Sequence, residues 1–303
     1  MRAYRYEELS IEDLKVVDPE KTFCLMAVSP MEAHGPHLPL GTDVLVGEKL
    51  QREYCLALEE RYPGFSLLIL PSVYAGCDAL PYKGSINIRA KTLEGLLKDY
   101  VRSIAEQGFR YLIICDNHGG PSHQMAMEAV SRWAWRKYRF FFINPFNVVF
   151  RKMVLHDRSF LDLVNLSPGI CGDDSDCHAG TNETSLMLAA GNNLVKNYET
   201  VPDSLPPKRG GFPALVGSLG KILGRLGLNR TGEEIDHLAN LLAWTGSPGL
   251  LPYLGSPRLA SSEAGERMIR GHVAVMTELL SEALSGQKPD TTPMLWSVRF
   301  LRR

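Results

Sequence analysis

Short apolar runs alternate with helix-length segments through the first two-thirds of the chain, and this alternation restricts the fold more than any other feature. Residues 22–28 (Thr-Phe-Cys-Leu-Met-Ala-Val), 65–73 (Phe-Ser-Leu-Leu-Ile-Leu-Pro-Ser-Val) and 111–115 (Tyr-Leu-Ile-Ile-Cys) read as buried strands, and a fourth begins at 140–143. The segments between them, 43–62, 91–107 and 122–138, have helical length and spacing. In the middle one Leu93, Leu96, Leu97, Tyr100, Val101 and Ile104 fall on one face, and Gly108 ends it. Strands separated in this way imply βαβ units and a mostly parallel sheet with helices on both faces. No linker rich in Pro, Gly or Ser divides this part, so a single α/β domain is expected. From about 198 to 257 Pro202, Pro206, Pro207, Gly210, Gly211 and Pro213 break regular structure, and a short basic stretch follows at 219–228. This region reads as an insertion or excursion, a lid or an oligomer contact, before a returning helix at 261–285.

The balance of 33 basic against 34 acidic residues gives no electrostatic reason to expect nucleic acid or a membrane surface, which leaves a small molecule as partner. The first ten residues lack an apolar core of the secretory type, and no apolar run approaches the ~20 residues that span a bilayer. Six cysteines are scattered without CxxC spacing, and Cys24 and Cys115 sit inside strand-like runs as buried thiols. A cytoplasmic location is expected.

Chemistry concentrates in three clusters. The first is Glu-Ala-His-Gly-Pro-His-Leu-Pro-Leu-Gly-Thr-Asp, residues 32–43, directly after the first strand. Glu32, His34 and Asp43 are donors of the kind that bind divalent transition metals. If the strand continues into the motif, its period of two places Glu32 and His34 on one face. The second cluster, Asp116-Asn117-His118-Gly119-Gly120, follows the third strand, where ligands of an open parallel sheet bind. The third holds His178 and Glu183, the latter opening an apolar helix; Asp173, Asp174 and Asp176 just upstream read as a solvated loop. Two imidazoles and three carboxylates exceed what one hydrolytic ion uses, because that chemistry needs open positions for water and substrate. Two ions about 3.5–4 Å apart accommodate them and point to metal-assisted hydrolysis, with His178 suited to proton transfer.

The same residues resemble the creatininase (creatinine amidohydrolase) family: Glu-x-His-Gly-x-His-Leu-Pro-Leu-Gly-Thr-Asp, then His-Gly-Gly, then His-Ala-Gly-x-x-Glu-Thr-Ser, and a C-terminal segment at 255–266 (Gly-Ser-Pro-Arg-Leu-Ala-Ser-Ser-Glu-Ala-Gly-Glu). The resemblance implies a three-layer α/β/α fold, a centre of two zinc, manganese or iron ions, assembly into homo-oligomers up to hexamers, and cleavage of C–N bonds in cyclic or linear amides. It implies that Glu32 and His118 hold one metal, His34 and Glu183 the other, that Asp43 bridges, and that His178 is the acid/base. Gly119, Tyr74, Asp78, Tyr82 and His37 are candidates for touching substrate, and Trp244 for walling the pocket. His123 faces the site or solvent, while His156, His237 and His272 read as surface or packing residues.

The chain departs from the family pattern at Asp116-Asn117, where Asn-Gly is common, and at Pro121, where Asn is usual. Gly119 and Gly120 replace the Tyr and Glu of enzymes that act on creatinine, which argues against that substrate. Two alternatives stay open: a C–C bond hydrolase of a cyclic, inosose-type ketone, and a non-catalytic metal-binding assembly protein on the same scaffold.

Overall fold

A computed structural model describes residues 3–167, 176–191 and 193–301. Strands β1 (Ala3–Arg5), β2 (Thr22–Ser29), β3 (Ser66–Ile69), β4 (Val73–Tyr74), β5 (Tyr111–Cys115) and β6 (Phe141–Ile143) form one sheet in the order β1-β3-β2-β5-β6, with β4 also on β2. Every pairing is parallel. The expected second strand is split because Pro71 has no N–H to give the ladder. The chain rejoins β2 two residues later, where Val73 pairs with Val28.

Alternate residues of the strands feed two separate cores, as the pleat requires. Phe23, Leu25, Ala27, Ile113, Cys115 and Ile143 face one; Cys24, Met26, Val28, Leu112, Ile114 and Phe142 face the other. A short α1 (Ile11–Leu14) precedes β2. The first core is covered by α2 (Thr42–Arg61), and the second by α3 (Ala90–Glu106) and α4 (Pro121–Tyr138). Helices α5 (Pro145–Val154), α6 (Arg158–Val164) and α7 (Thr181–Ala189) follow. Beyond them come α8 (Gly211–Arg225), α9 (Asn229–Thr245) and α10 (Ser262–Leu284), the last packed on the α2 side of the sheet. The fold is α/β with helices on both faces of a parallel sheet. Among the described residues no helix is long and apolar enough to cross a membrane.

The 198–257 region is more regular than its prolines and glycines suggest. They sit at its start and in its turns, and α8 and α9 form an antiparallel pair between them. The two helices touch through glycines: a Cβ on Gly220 would lie 2.7 Å from the Gly232 carbonyl oxygen. Glycine is here a device for close helix approach rather than a breaker.

Candidate metal centre

All three clusters meet at the carboxyl edge of the sheet. Strand β2 ends at Ser29, so Glu32 and His34 lie in the loop after it rather than on a shared strand face. Gly35, at φ +70°, turns that loop, and Glu32 N donates to the Leu40 carbonyl oxygen to close it. Asp43 stands in the first turn of α2 and Glu183 in the first turn of α7, where the helix dipole favours a carboxylate. His118 follows β5. Gly47, one turn beyond Asp43, lets α2 press on the strand end, since a Cβ there would meet the Cys115 carbonyl oxygen at 2.7 Å. That approach brings Asp43 over His118.

Three imidazoles share one arrangement. His34 Nδ1 is 3.0 Å from the Glu32 carbonyl oxygen, His118 Nε2 is 2.9 Å from that of Cys77, and His178 Nε2 is 2.9 Å from that of Ala33. A carbonyl only accepts, so each of these nitrogens carries the hydrogen and the other nitrogen faces inward. The inward atoms meet carboxylates: His118 Nδ1 lies 3.0 Å from Glu32 Oε2 and 3.3 Å from Asp43 Oδ2, and His34 Nε2 lies 3.3 Å from Asp43 Oδ1 and 3.6 Å from Glu183 Oε2. His178 Nδ1 stands farther out, 3.9 Å from Glu183 Oε2. A lone pair aimed at a carboxylate is repulsive unless a cation, either a proton or a metal ion, sits between them.

The donor set fits divalent metals. Glu32 Oε2, His34 Nε2 and Asp43 Oδ2 are buried without a well-formed hydrogen bond. Two compact groups, Glu32–Asp43–His118 and His34–Asp43–Glu183, share Asp43, and a third joins Glu32, His34 and His178. The Glu32 and Glu183 carboxylates are held in place. Leu80 N donates to Glu32 Oε1 at 2.7 Å, Ala179 N to Glu183 Oε2 at 2.5 Å, and Asn117 Nδ2 to Glu183 Oε1 at 3.3 Å.

Charge in the metal-free cluster follows from this packing. Burial alone would push the His34 imidazole down, but Asp43 and Glu183 outweigh it and raise it to about 10. His118 is likewise carried well above its ordinary range, Glu32 and Asp43 overcoming burial. Burial would raise Glu32, yet His178 and His118 draw it down to about 2, and Asp43 falls well below the carboxylate range mainly through His34. Glu183 moves the other way, because burial exceeds the pull of His34 and His178.

A cavity of about 420 Å³ opens beside the cluster. Glu32, His118, Gly119, His178 and Glu183 border it at one end, together with Asp78. Tyr74, half exposed on β4, does not line it, and neither does Tyr82, which packs with Leu80 and Trp244 while its hydroxyl donates to the Leu250 carbonyl oxygen. His37 is buried behind the motif, its Nε2 2.9 Å from Thr184 Oγ1, and burial lowers it to about 4.

Trp244 does wall the cavity, 5.7 Å from the His178 ring. So does His237, read from sequence as a packing or surface residue, along with Leu238, Leu241 and Leu242 of α9. Asp116 anchors His118: it accepts from Ser29 Oγ at 2.6 Å, Gln124 Nε2 at 2.6 Å and His118 N at 3.1 Å. His123 is buried against it at 3.3 Å rather than in site or solvent. Asp176 is buried as well and caps α7, accepting from Thr181 N and Asn182 N, so it is no solvated residue. Asp173 and Asp174 lie outside the described residues.

A parallel α/β protein with a buried carboxylate–imidazole cluster at its strand ends is a candidate metal-centre protein of the open-sheet class. The chain belongs to the creatininase family, whose model, described as creatinine amidohydrolase, matches residues 7–280. It is 28% identical over 194 residues to the creatinine amidohydrolase of Pseudomonas putida, covering 60% of this chain and 71% of that one. It is 30% identical over 245 residues to the mycofactocin precursor peptide peptidase of Mycobacterium ulcerans, covering 74% and 86%. Among solved structures it resembles a creatininase described with Mn, at TM-score 0.62 and 21% identity, covering 93% of this chain and 99% of that one. It also resembles a mutant creatininase of Zn-Zn type, at TM-score 0.59 and 21% identity, covering 91% and 96%. The family is hydrolytic, and the mostly parallel α/β fold agrees with these neighbours.

Proposed function

We propose that this protein is a metal-dependent hydrolase that cleaves an amide-like C–N bond of a small molecule other than creatinine. The observation that carries the reading is the set of inward imidazole nitrogens, each fixed by a backbone carbonyl and aimed at a buried carboxylate. Glu32 and His118 would hold one divalent ion and His34 and Glu183 the other, Asp43 belonging to both donor groups; zinc, manganese and iron all suit these donors. Bound there, the ions supply Lewis acidity and lower the pKa of a water. Gly119 borders the carbonyl position without a side chain to obstruct it. His178 turns Nδ1 toward the cluster, where it can pass a proton to the leaving nitrogen, its orientation fixed by the Ala33 carbonyl oxygen. The names of the relatives, an amidohydrolase and a peptidase, both describe hydrolysis at such a bond. Elemental analysis and amide turnover of wild type and Asp43→Ala test the reading. Loss of metal and activity together is the expected result; a variant with both intact would overturn it.

We propose further that the chain works in the cytoplasm as a homo-oligomer. Supporting the second point, α8 turns Phe212, Leu215, Leu219, Ile222 and Leu226 to solvent, each 50–71% exposed, at alternating spacings of three and four. This is the seam spacing of a helix that pairs with another helix. Sedimentation velocity of Leu215→Lys against wild type checks it; identical, monomeric behaviour of the two would refute it.

A further inference from the structure

The polar cluster occupies only one end of the cavity, and the rest of the wall has a different character. Leu238, Leu241, Leu242 and Trp244 of α9 line it, together with Phe150 of α5 and Met294 near the C-terminus. Among the described residues no Lys or Arg lines this space, and the carboxylate of Asp78 borders it. The apolar wall belongs to neither main core. It rests on two small clusters, one of Leu80, Trp244 and Leu254 and one of Met125, Met294 and Leu295.

The wall is also braced. Arg209 grips Asp236 through two bonds of 2.6 and 2.7 Å and reaches Asn240 Oδ1 at 2.6 Å, which holds α9 to the chain entering α8. Leu295 N donates to Glu234 Oε2 at 3.0 Å, tying the C-terminal segment to α9 as well. The apolar space is therefore preformed. About 420 Å³ falls in the range of pockets that enclose drug-sized ligands.

From this placement we infer that the substrate is a neutral amide bearing a sizeable apolar group, a chain or ring that lies along α9 while the amide sits at Glu32, His118 and His178. The inference rests on the metal-hydrolase reading above and adds the substrate class. Anionic substituents are disfavoured there, because among the described residues no Lys or Arg lines the wall and the Asp78 carboxylate borders it. α9, which the sequence places in an excursion, is the specificity element.

The test measures binding by calorimetry to the zinc-loaded protein, with straight-chain alkyl hydroxamates from two to eight carbons as probes. The hydroxamate seats on the metals and the chain samples the wall. Affinity is expected to rise about fourfold for each methylene that enters the apolar wall. An eight-carbon probe ending in a carboxylate should bind no better than acetohydroxamate. Leu241→Asp and, separately, Leu238→Ser should flatten the series; should either fail to fold, the wild-type series still decides. Equal affinity for all lengths, or tighter binding of the carboxylate-ended probe, would overturn the inference while leaving the metal centre standing. If no hydroxamate binds, the metal-hydrolase reading fails and this inference fails with it.

Discussion

Metal loading should release protons, and the amount follows from the geometry of the cluster. In the metal-free protein His34 titrates at about 10 and His118 well above its ordinary value, so both are imidazolium at pH 7. A metal ligand must be neutral, so each ion displaces one proton from its imidazole. Removing the His34 proton at pH 7 costs about 4 kcal/mol, from three pH units at 1.36 kcal/mol each. Its site should bind about a thousandfold more weakly at pH 7 than at pH 10. About two protons leave per chain, one from each imidazole. Calorimetry in two buffers of different ionisation heat counts them. Between pH 6 and 8 each site's affinity should climb about tenfold per pH unit.

The stability of the metal-free protein carries the opposite sign. Groups whose folded pKa is raised stabilise fully below their unfolded value of about 6.5 and lose that contribution as pH climbs to the folded value. For His34 the loss runs from about 6.5 to about 10. The thermal shift on adding metal should therefore widen as pH increases. Proton release near zero, with affinity flat between pH 6 and 8, would refute the account, because it would mean the inward nitrogens are already unprotonated.

Three further outcomes can be checked. His272 is buried on α10 with Nδ1 unpartnered, and burial lowers it to about 4; the unfolded chain takes up its proton first, so about 3 kcal/mol of stability should disappear as pH falls from 6.5 to 4. His272→Phe, which packs beside Phe146, should remove that slope in denaturant titrations at successive pH values. Gly47→Ala, forced against the Cys115 carbonyl oxygen, should lose about 1–3 kcal/mol in chemical denaturation and weaken metal binding by moving Asp43. Asp116→Asn puts an NH2 against the Gln124 amide and His123, and titration calorimetry should show metal affinity about 10–100-fold lower.

Much of the fold was legible because its signals are local. The strands at 22–28 and 111–115 and the helix beginning near Lys91 declare themselves by apolar periodicity within one segment, and they stand where that reading places them. The carboxylate–imidazole cluster was legible for a related reason. Its donors lie within a few residues of strand ends or helix starts, and a parallel sheet gathers all its strand ends on one edge. What escaped was the device that joins them. Gly47 carries no chemistry that marks it in a sequence, and Asp116 was marked only as a neighbour of His118; their roles come from a contact between α2 and β5 and from three hydrogen bonds that Asp116 accepts.

The wall of the cavity was hidden differently. Leu238, Leu241, Leu242 and Thr245 follow a helical spacing that would serve equally well for packing against a core, so the pattern predicts a helix and stays silent on its purpose. The purpose depends on what lies opposite. Where α9 faces α8 it presents Gly232 to Gly220 at close range, and where it faces the sheet edge it meets a carboxylate–imidazole cluster instead of apolar side chains. An apolar helix face held away from any core by Arg209 and Glu234 leaves a space beside charged groups that apolar matter has not filled. Apolar surface left open next to reactive polar groups is the mark of a substrate pocket. On the function proposed above, the reaction class would be written in residues 32–43, 118 and 183, and the choice of substrate in α9.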